Sequence, residues 1–342
     1  MSFSQMTRLS NKLGSYLQLV LSGLAGRLQS TPVSLHWGSH RTELGLAQFI
    51  IDFVIEESPA FTSSVTDPLI EGFTHRHAFS DRAICRLRDA TFDPDSGYIF
   101  CGRQIVIESH SSQLVSHVRK INRTRRITTR PVIGVATQTH YHWLIETLPR
   151  VIAASRYAPN ALLVAPTTMP RTQREAIEML GLDVCYSDER FLCDELVLAT
   201  RGIDSGWAHP VDVALLRMTF SVPNELGTHQ IFVSRAGSRR GDVLSQKIDQ
   251  YAEQQGWWVI RAEHLNWSDH LSIFGKTAVI AGEHGAGLAN IALSPGNARL
   301  IELVRANCAN PCYVSLSAII NHDQGFHSAE PISDFNAALR II

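Results

Sequence analysis

His142 and Glu146 stand four residues apart in the stretch His140-Tyr-His-Trp-Leu-Ile-Glu-Thr-Leu-Pro-Arg150. On a helix that spacing puts both on one face. A histidine with a carboxylate beside it suits proton abstraction from a hydroxyl, although a histidine next to Trp143 equally suits a packed core. A second constellation is Gly282-Glu-His-Gly-Ala-Gly-Leu-Ala-Asn290, which follows an apolar run and opens a helical one. Gly285, Ala286 and Gly287 let backbone approach a ligand, a helix start favours an anion, and His284 adds a donor. The third is Ser234-Arg-Ala-Gly-Ser-Arg-Arg240, where Arg235, Arg239 and Arg240 converge on one loop. Guanidinium forks fit diphosphate oxygens. Glu302, near the end of Arg299–Val304, is a carboxylate placed to accept ribose hydroxyls. Asp93-Pro94-Asp95 has the form of a metal-binding DxD, but Pro94, Ser96 and Gly97 read as a turn. No metal site is assigned.

The elements that must position these residues alternate. Residues 131–136 and 161–165, with Glu195–Ala199, read as strands. Residues 140–156 read as a helix interrupted by Pro149, and 170–182 as a helix begun by Pro170 and ended near Gly181. The pattern breaks at 221–227, the expected linker. A second alternation follows, with strands at 231–234, 257–262, 277–282 and 299–304. Its helices fall at 242–255, near 268–274 and at 287–293. Strand and helix in alternation indicate α/β layers with parallel strands, and ligands bind such sheets at the carboxyl ends of their strands. Upstream, residues 89–109 read as short strands around turns. The apolar run Leu44–Ile55 reads as helical. Leu9, Leu13, Leu17, Val20, Leu21, Leu24 and Leu28 recur at helical spacing, a face for a membrane surface, the core or a second subunit.

Composition bounds the classes. Apolar residues make up 44% of 342 and charged residues 18%, enough for a sizeable core. A formal charge of −1 argues against a dedicated nucleic-acid binder. Six cysteines without CxxC spacing read as free thiols of a reducing compartment. The uncharged stretch between Lys12 and Arg27 is too short to span a bilayer. The expected location is the cytoplasm, either free or at a membrane surface. The glycine turn partly copies a dinucleotide fingerprint, but Asn290 holds the third glycine position and Glu302 follows Gly287 by 15 residues. A nicotinamide oxidoreductase and a non-catalytic nucleotide-sugar-binding protein are the alternative readings.

Residues 140–150, 173–182, 232–240, 269–293 and 299–303, taken in order, resemble glycosyltransferase family 61, whose bacterial members are often described as capsular polysaccharide biosynthesis proteins. The resemblance runs over about residues 89–322. It implies two facing Rossmann-like domains in the GT-B arrangement and inversion at the sugar carbon. It also implies a nucleotide-sugar donor, a glycan or lipid-linked glycan acceptor, and no cofactor. The family's arginine loop puts Arg235 and Arg239 or Arg240 on the diphosphate. Ser234, His284, Gly285, Ala286, Gly287, Asn290 and Glu302 complete the expected donor site, with His142 and Glu146 expected to be catalytic. Two departures stand out: Ser245 and Gln246 lie where an Asn-Glu pair is usual, and Glu146 lies where aspartate is usual. The expected organisation is an α-helical N-terminal extension (1–80), an acceptor domain (81–222) and a donor domain (223–342).

Overall fold

A computed structural model describes residues 50–56, 64–66, 74–76, 82–102, 104–106, 124–137, 139–201, 205–238, 241–304, 310–320 and 323–328. The expected apolar face at residues 9–28, Arg239 and Arg240 lie outside the described residues. In chain order the strands are β1 (Ile50–Glu56), β2 (Ser64–Thr66), β3 (Thr74–Arg76), β4 (Arg82–Asp93), β5 (Tyr98–Cys101), β6 (Gln104–Val106), β7 (Thr124–Ile127) and β8 (Val132–Gly134). A helical stretch follows: α1 (His140–His142), a π-helical turn (Trp143–Thr147) and α2 (Leu148–Tyr157). Then come β9 (Leu162–Ala165), α3 (Arg171–Glu178), β10 (Val184–Tyr186), β11 (Arg190–Ala199) and α4 (Pro210–Thr219). The remaining elements are β12 (His229–Val233), α5 (Val243–Gln254), β13 (Trp258–Ile260), α6 (Trp267–Phe274), β14 (Thr277–Glu283), β15 (Arg299–Val304), α7 (Cys312–Ile320) and β16 (Asp323–Ser328). Two 3₁₀ segments, Ala262–His264 and Ala286–Leu293, lie among them.

The second half is a five-stranded, wholly parallel sheet in the order β13-β12-β14-β15-β16. Counted within the unit, that is 2-1-3-4-5, a doubly wound order. It reverses direction between β12 and β14, and ligands of such sheets bind beyond the strand ends at that reversal. Arg235 follows β12 and His284 follows β14, so the reversal sets both at one edge. Local chemistry explains the helices. Asp242 caps α5 by accepting from Ser245 N at 2.9 Å, and Asn266 and Asp269 form a capping box on α6.

The first half departs from the expected parallel layer. Its main sheet runs β10-β9-β8-β11-β4-β5-β6, with β1 on β4 and β7 on β11. Strands β7 to β11 are parallel, but β4 lies antiparallel to β11, β5 and β1, and β5 to β6. The turn at 94–97 and the short link before β6 can join only antiparallel neighbours. The helical reading of Leu44–Ile55 fails over its described part. Ile50–Glu56 (IIDFVIE) is strand β1, because a run dense in Ile, Val and Phe fits a pleated sheet better than a helix. Residues within the proposed 1–80 extension therefore complete the first sheet.

One hydrophobic cluster runs through both halves, joining Trp143, Leu144 and Leu148 to Leu288, Ile291 and Leu293. Arg82 of β4 pairs with Asp212 of α4, both buried. Removing one member of such a pair leaves a buried charge and costs about 3–5 kcal/mol. Asp93 accepts from Arg190 Nε at 3.0 Å and Nη2 at 2.9 Å, and Gly97 N closes the turn on its carbonyl at 2.8 Å. The DxD stretch is therefore a turn held by an ion pair. The described cysteines are free thiols, and burial pushes those of Cys101 and Cys193 up to about 12. No described helix is long and apolar enough to cross a membrane.

Candidate active site

The helix that carries His142 is interrupted where Pro149 predicts trouble, but one turn earlier. Pro149 has no N–H to donate and its ring crowds the carbonyl four residues back. The chain answers with a π turn, Leu148 N bonding Trp143 O, before α2 begins with Pro149 in its first turn. Within that turn His142 Nδ1 meets Glu146 Oε1 at 2.5 Å. Glu146 is only 4% exposed. It also accepts from Gly206 N at 2.8 Å and Ser205 Oγ at 3.0 Å, and Arg201 lies 3.8 Å away. Burial alone would raise this carboxyl. The hydrogen bond and charge of His142, the Gly206 amide and the Arg150 charge together outweigh burial and hold it below the ordinary value. A carboxylate so held accepts the hydrogen on Nδ1, which turns the other ring nitrogen of His142 outward as an acceptor.

A second dyad lies in the other half. His284 Nδ1 meets Glu302 Oε1 at 2.5 Å, with Glu302 1% exposed and the His284 side chain 14% exposed. The register explains the meeting: Gly282 pairs with Glu302 across parallel strands, so His284, two residues on, projects from the same face. The backbone of His284 is pinned at both ends. Its N–H donates to Leu303 O at 2.9 Å, and Arg235 Nη1 donates to its carbonyl. Among the described residues none hydrogen-bonds Nε2 of His142 or of His284. Glu302, expected to hold a ribose, is thus buried against His284, where it orients the ring.

The two dyads are joined by a chain of rings. His142 lies 5.6 Å from Tyr141, Tyr141 lies 5.7 Å from Tyr313, and Tyr313 lies 5.4 Å from His284, centroid to centroid. Tyr313 OH also donates to Gly285 O at 2.5 Å, and Tyr141 OH to Gly206 O at 3.1 Å.

The glycine turn divides by role. A Cβ on Gly287 would sit 2.8 Å from Val233 Cγ1, so this glycine lets the 3₁₀ segment pack on β12. Its carbonyl takes Asn290 Nδ2 at 2.8 Å. At Gly285 the backbone is extended and a Cβ would make only ordinary contacts, 3.6 Å at the closest, partly with the Arg235 side chain lying over it. Ala286, at the tip, is exposed. Asn290 does not reach this opening. It is fully buried, and its Oδ1 meets His140 Nε2 at 3.1 Å and His270 Nδ1 at 2.8 Å. Its placement in the donor site is corrected: it ties α1 and α6 together from inside. Because Asn290 Nδ2 faces a carbonyl, its Oδ1 can only accept, so both ring nitrogens carry the hydrogen. Burial and the charge of His270 together hold the His140 ring down, to about 4. Ser234 is likewise turned inward, its Oγ donating to Asp249 Oδ2 at 2.6 Å and accepting from Ala236 N at 3.2 Å. That shapes the arginine loop without presenting a hydroxyl.

Sequence reasoning reached both histidines and Glu146, but it missed His270, Tyr313 and the partnership of His284 with Glu302. Among the described residues no group of three His, Cys, Asp or Glu could hold a metal ion. No curated protein matches the chain. The family model for Glycosyltransferase 61 matches residues 140–301. That span opens at α1 beside the first dyad, takes in the arginine loop and the glycine turn, and ends one residue before Glu302. Over that span the chain is similar to glycosyltransferase family 61, a family whose chemistry is glycosyl transfer.

Proposed function

We propose that this chain moves a sugar, with inversion, from a nucleoside-diphosphate sugar to a hydroxyl of a glycan or lipid-linked glycan, in the synthesis of a capsular or extracellular polysaccharide. On this reading the two halves, divided near residue 222, act as the acceptor and donor domains of a GT-B enzyme. The observation that carries the reading is the presence of one carboxylate-oriented histidine in each half, linked through Tyr141 and Tyr313.

A single displacement needs a base for the incoming hydroxyl and a counter-charge for the departing diphosphate. His142 supplies the first: with the hydrogen on Nδ1 bound to Glu146, Nε2 takes the proton as the hydroxyl oxygen attacks. Glu146 is a positioning residue. Arg235, lying over Gly285 at the sheet reversal, supplies the second, and Arg239 and Arg240, four and five residues further along the sequence, are proposed to assist it. The reaction needs no cofactor besides the donor, since guanidinium groups meet the diphosphate charge.

A thermal-shift screen against UDP-, GDP-, CMP- and dTDP-sugars tests the reading. A ligand at 100 times its dissociation constant adds about 2.7 kcal/mol of stability, so one nucleoside-diphosphate sugar class raises Tm. The reading fails if none does, or if NAD(H) alone does.

A further inference from the structure

Resting on the donor assignment above, we infer that His284 is a proton-carrying partner of the diphosphate: donor binding draws one proton onto its Nε2, and the resulting N–H donates to the oxygen that leaves the sugar. Three structural features lead there. The carboxylate of Glu302 lies on Nδ1 at 2.5 Å and is buried, so it stabilises a cationic ring without competing for Nε2. The ring stands at the carboxyl end of β14, beside the strand-order reversal, with Arg235 gripping its own carbonyl. And no described residue occupies Nε2. A neutral ring in this tautomer would turn a lone pair toward an anion. Protonation removes that repulsion and replaces it with a charge-assisted hydrogen bond.

The groups facing His284 are few. Glu302 comes from β15, Arg235 from the loop after β12, and the Tyr313 phenol from α7 at 5.4 Å between ring centres. Glu283, its neighbour on β14, interacts with Asp249. Glu302 brings negative charge to the ring and Arg235 brings positive charge to its backbone carbonyl. An arriving diphosphate shifts the balance by pairing with Arg235 and facing the ring itself. The transfer step then balances. The bond from the anomeric carbon to the diphosphate oxygen breaks, its electron pair goes to that oxygen, and the oxygen accepts a hydrogen bond from His284 Nε2–H. The acceptor oxygen bonds the anomeric carbon, and its proton goes to His142 Nε2.

Calorimetry separates this from simple charge attraction. Sugar nucleotides such as UDP-glucose, GDP-mannose and dTDP-rhamnose carry diphosphate diesters that do not titrate near neutrality, so any proton exchanged belongs to the protein. Binding without acceptor at pH 7.5, in buffers of different ionisation enthalpy, is expected to show uptake approaching one proton per site in the wild type and near zero in His284→Gln. Binding with no uptake, or with equal uptake in His284→Gln, overturns the inference and leaves the donor assignment standing. Failure of every sugar nucleotide to bind overturns both. Should His284→Gln not fold, nitrogen-15 spectra of the wild-type imidazoles decide. The His284 Nε2 resonance is expected to move to the protonated position when donor is added, and a resonance that stays at the neutral position overturns the inference.

Discussion

The phenols of Tyr141 and Tyr313, whose rings meet edge to face at 5.7 Å, each donate to the carbonyl of a glycine beside a histidine–carboxylate pair, Gly206 for one and Gly285 for the other. Gly206 in turn donates its N–H to Glu146, and Gly285 follows His284. The ring pair therefore positions the backbone on both sides at once. Tyr313→Phe keeps the ring contact and removes one hydrogen bond, a loss of about 0.5–1.5 kcal/mol. Donor affinity is expected to fall roughly 2- to 10-fold with turnover at saturation little changed, as measured by calorimetry and steady-state kinetics. An unchanged dissociation constant contradicts a positioning role for this hydroxyl.

His142→Gln keeps polarity and much of the volume but cannot accept a proton near neutral pH. Loss of a general base costs about 10²–10⁴-fold in rate, so turnover should fall by that much while donor affinity stays within about 2-fold. Glu146→Gln leaves His142 in place and keeps one acceptor oxygen but removes the negative charge that stabilises the imidazolium formed on proton transfer, so kcat falls while KM for donor holds. The Glu146 carboxyl sits below its ordinary value, so its contribution to stability is present above the unfolded value of 4.5 and is lost as pH falls through the folded value. Acid unfolding curves of Glu146→Gln should therefore be flatter below pH 4.5 than those of the wild type. Near-normal kcat in His142→Gln would make that residue part of the packing, and His284 the better base.

His140 gives a separate pH signature. Its ring is held down to about 4 from an ordinary 6.5, first by burial and then by the charge of His270. Between those values the unfolded chain carries the extra proton, so folding stability falls as pH drops from 6.5 toward 4. His270 is displaced in the same direction, chiefly by burial. His140→Gln retains a side-chain amide for Asn290 and should flatten Tm against pH across that window. A slope equal to wild type assigns the acid sensitivity elsewhere.

Arg235→Ala removes a guanidinium that both lies over Gly285 and holds the His284 carbonyl. Charge-assisted hydrogen bonds contribute about 1.5–3 kcal/mol each, so nucleoside diphosphate should bind roughly 10- to 150-fold more weakly. Unchanged affinity in a folded variant removes Arg235 from the diphosphate site.

Local chemistry made much of this fold legible from sequence. Turn residues 94–97, the strand 299–304 and the helix read at 242–255, seen at Val243–Gln254, follow from short-range preferences, and each lies where it is expected. What stayed hidden depends on neighbours distant in sequence. Glu302 reads as an open carboxylate until β15 is laid in register beside β14. Only then does it meet His284, 18 residues away. Asn290 reads as part of a ligand turn because nothing in the stretch reveals that His140, 150 residues away, closes over it. The run IIDFVIE satisfied a helix reading as well as a strand one, and the choice was made by pairing with β4.

Inverting transfer from a nucleoside-diphosphate sugar can be watched by proton NMR as the reaction proceeds. With the donor that stabilises the protein and a glycan hydroxyl acceptor, the donor anomeric signal is expected to decay as a product anomeric signal of opposite configuration grows at the same rate. The opposite coupling pattern identifies the configuration before any equilibration. A product that keeps the donor configuration, or a donor that binds but is never consumed with any acceptor, contradicts it.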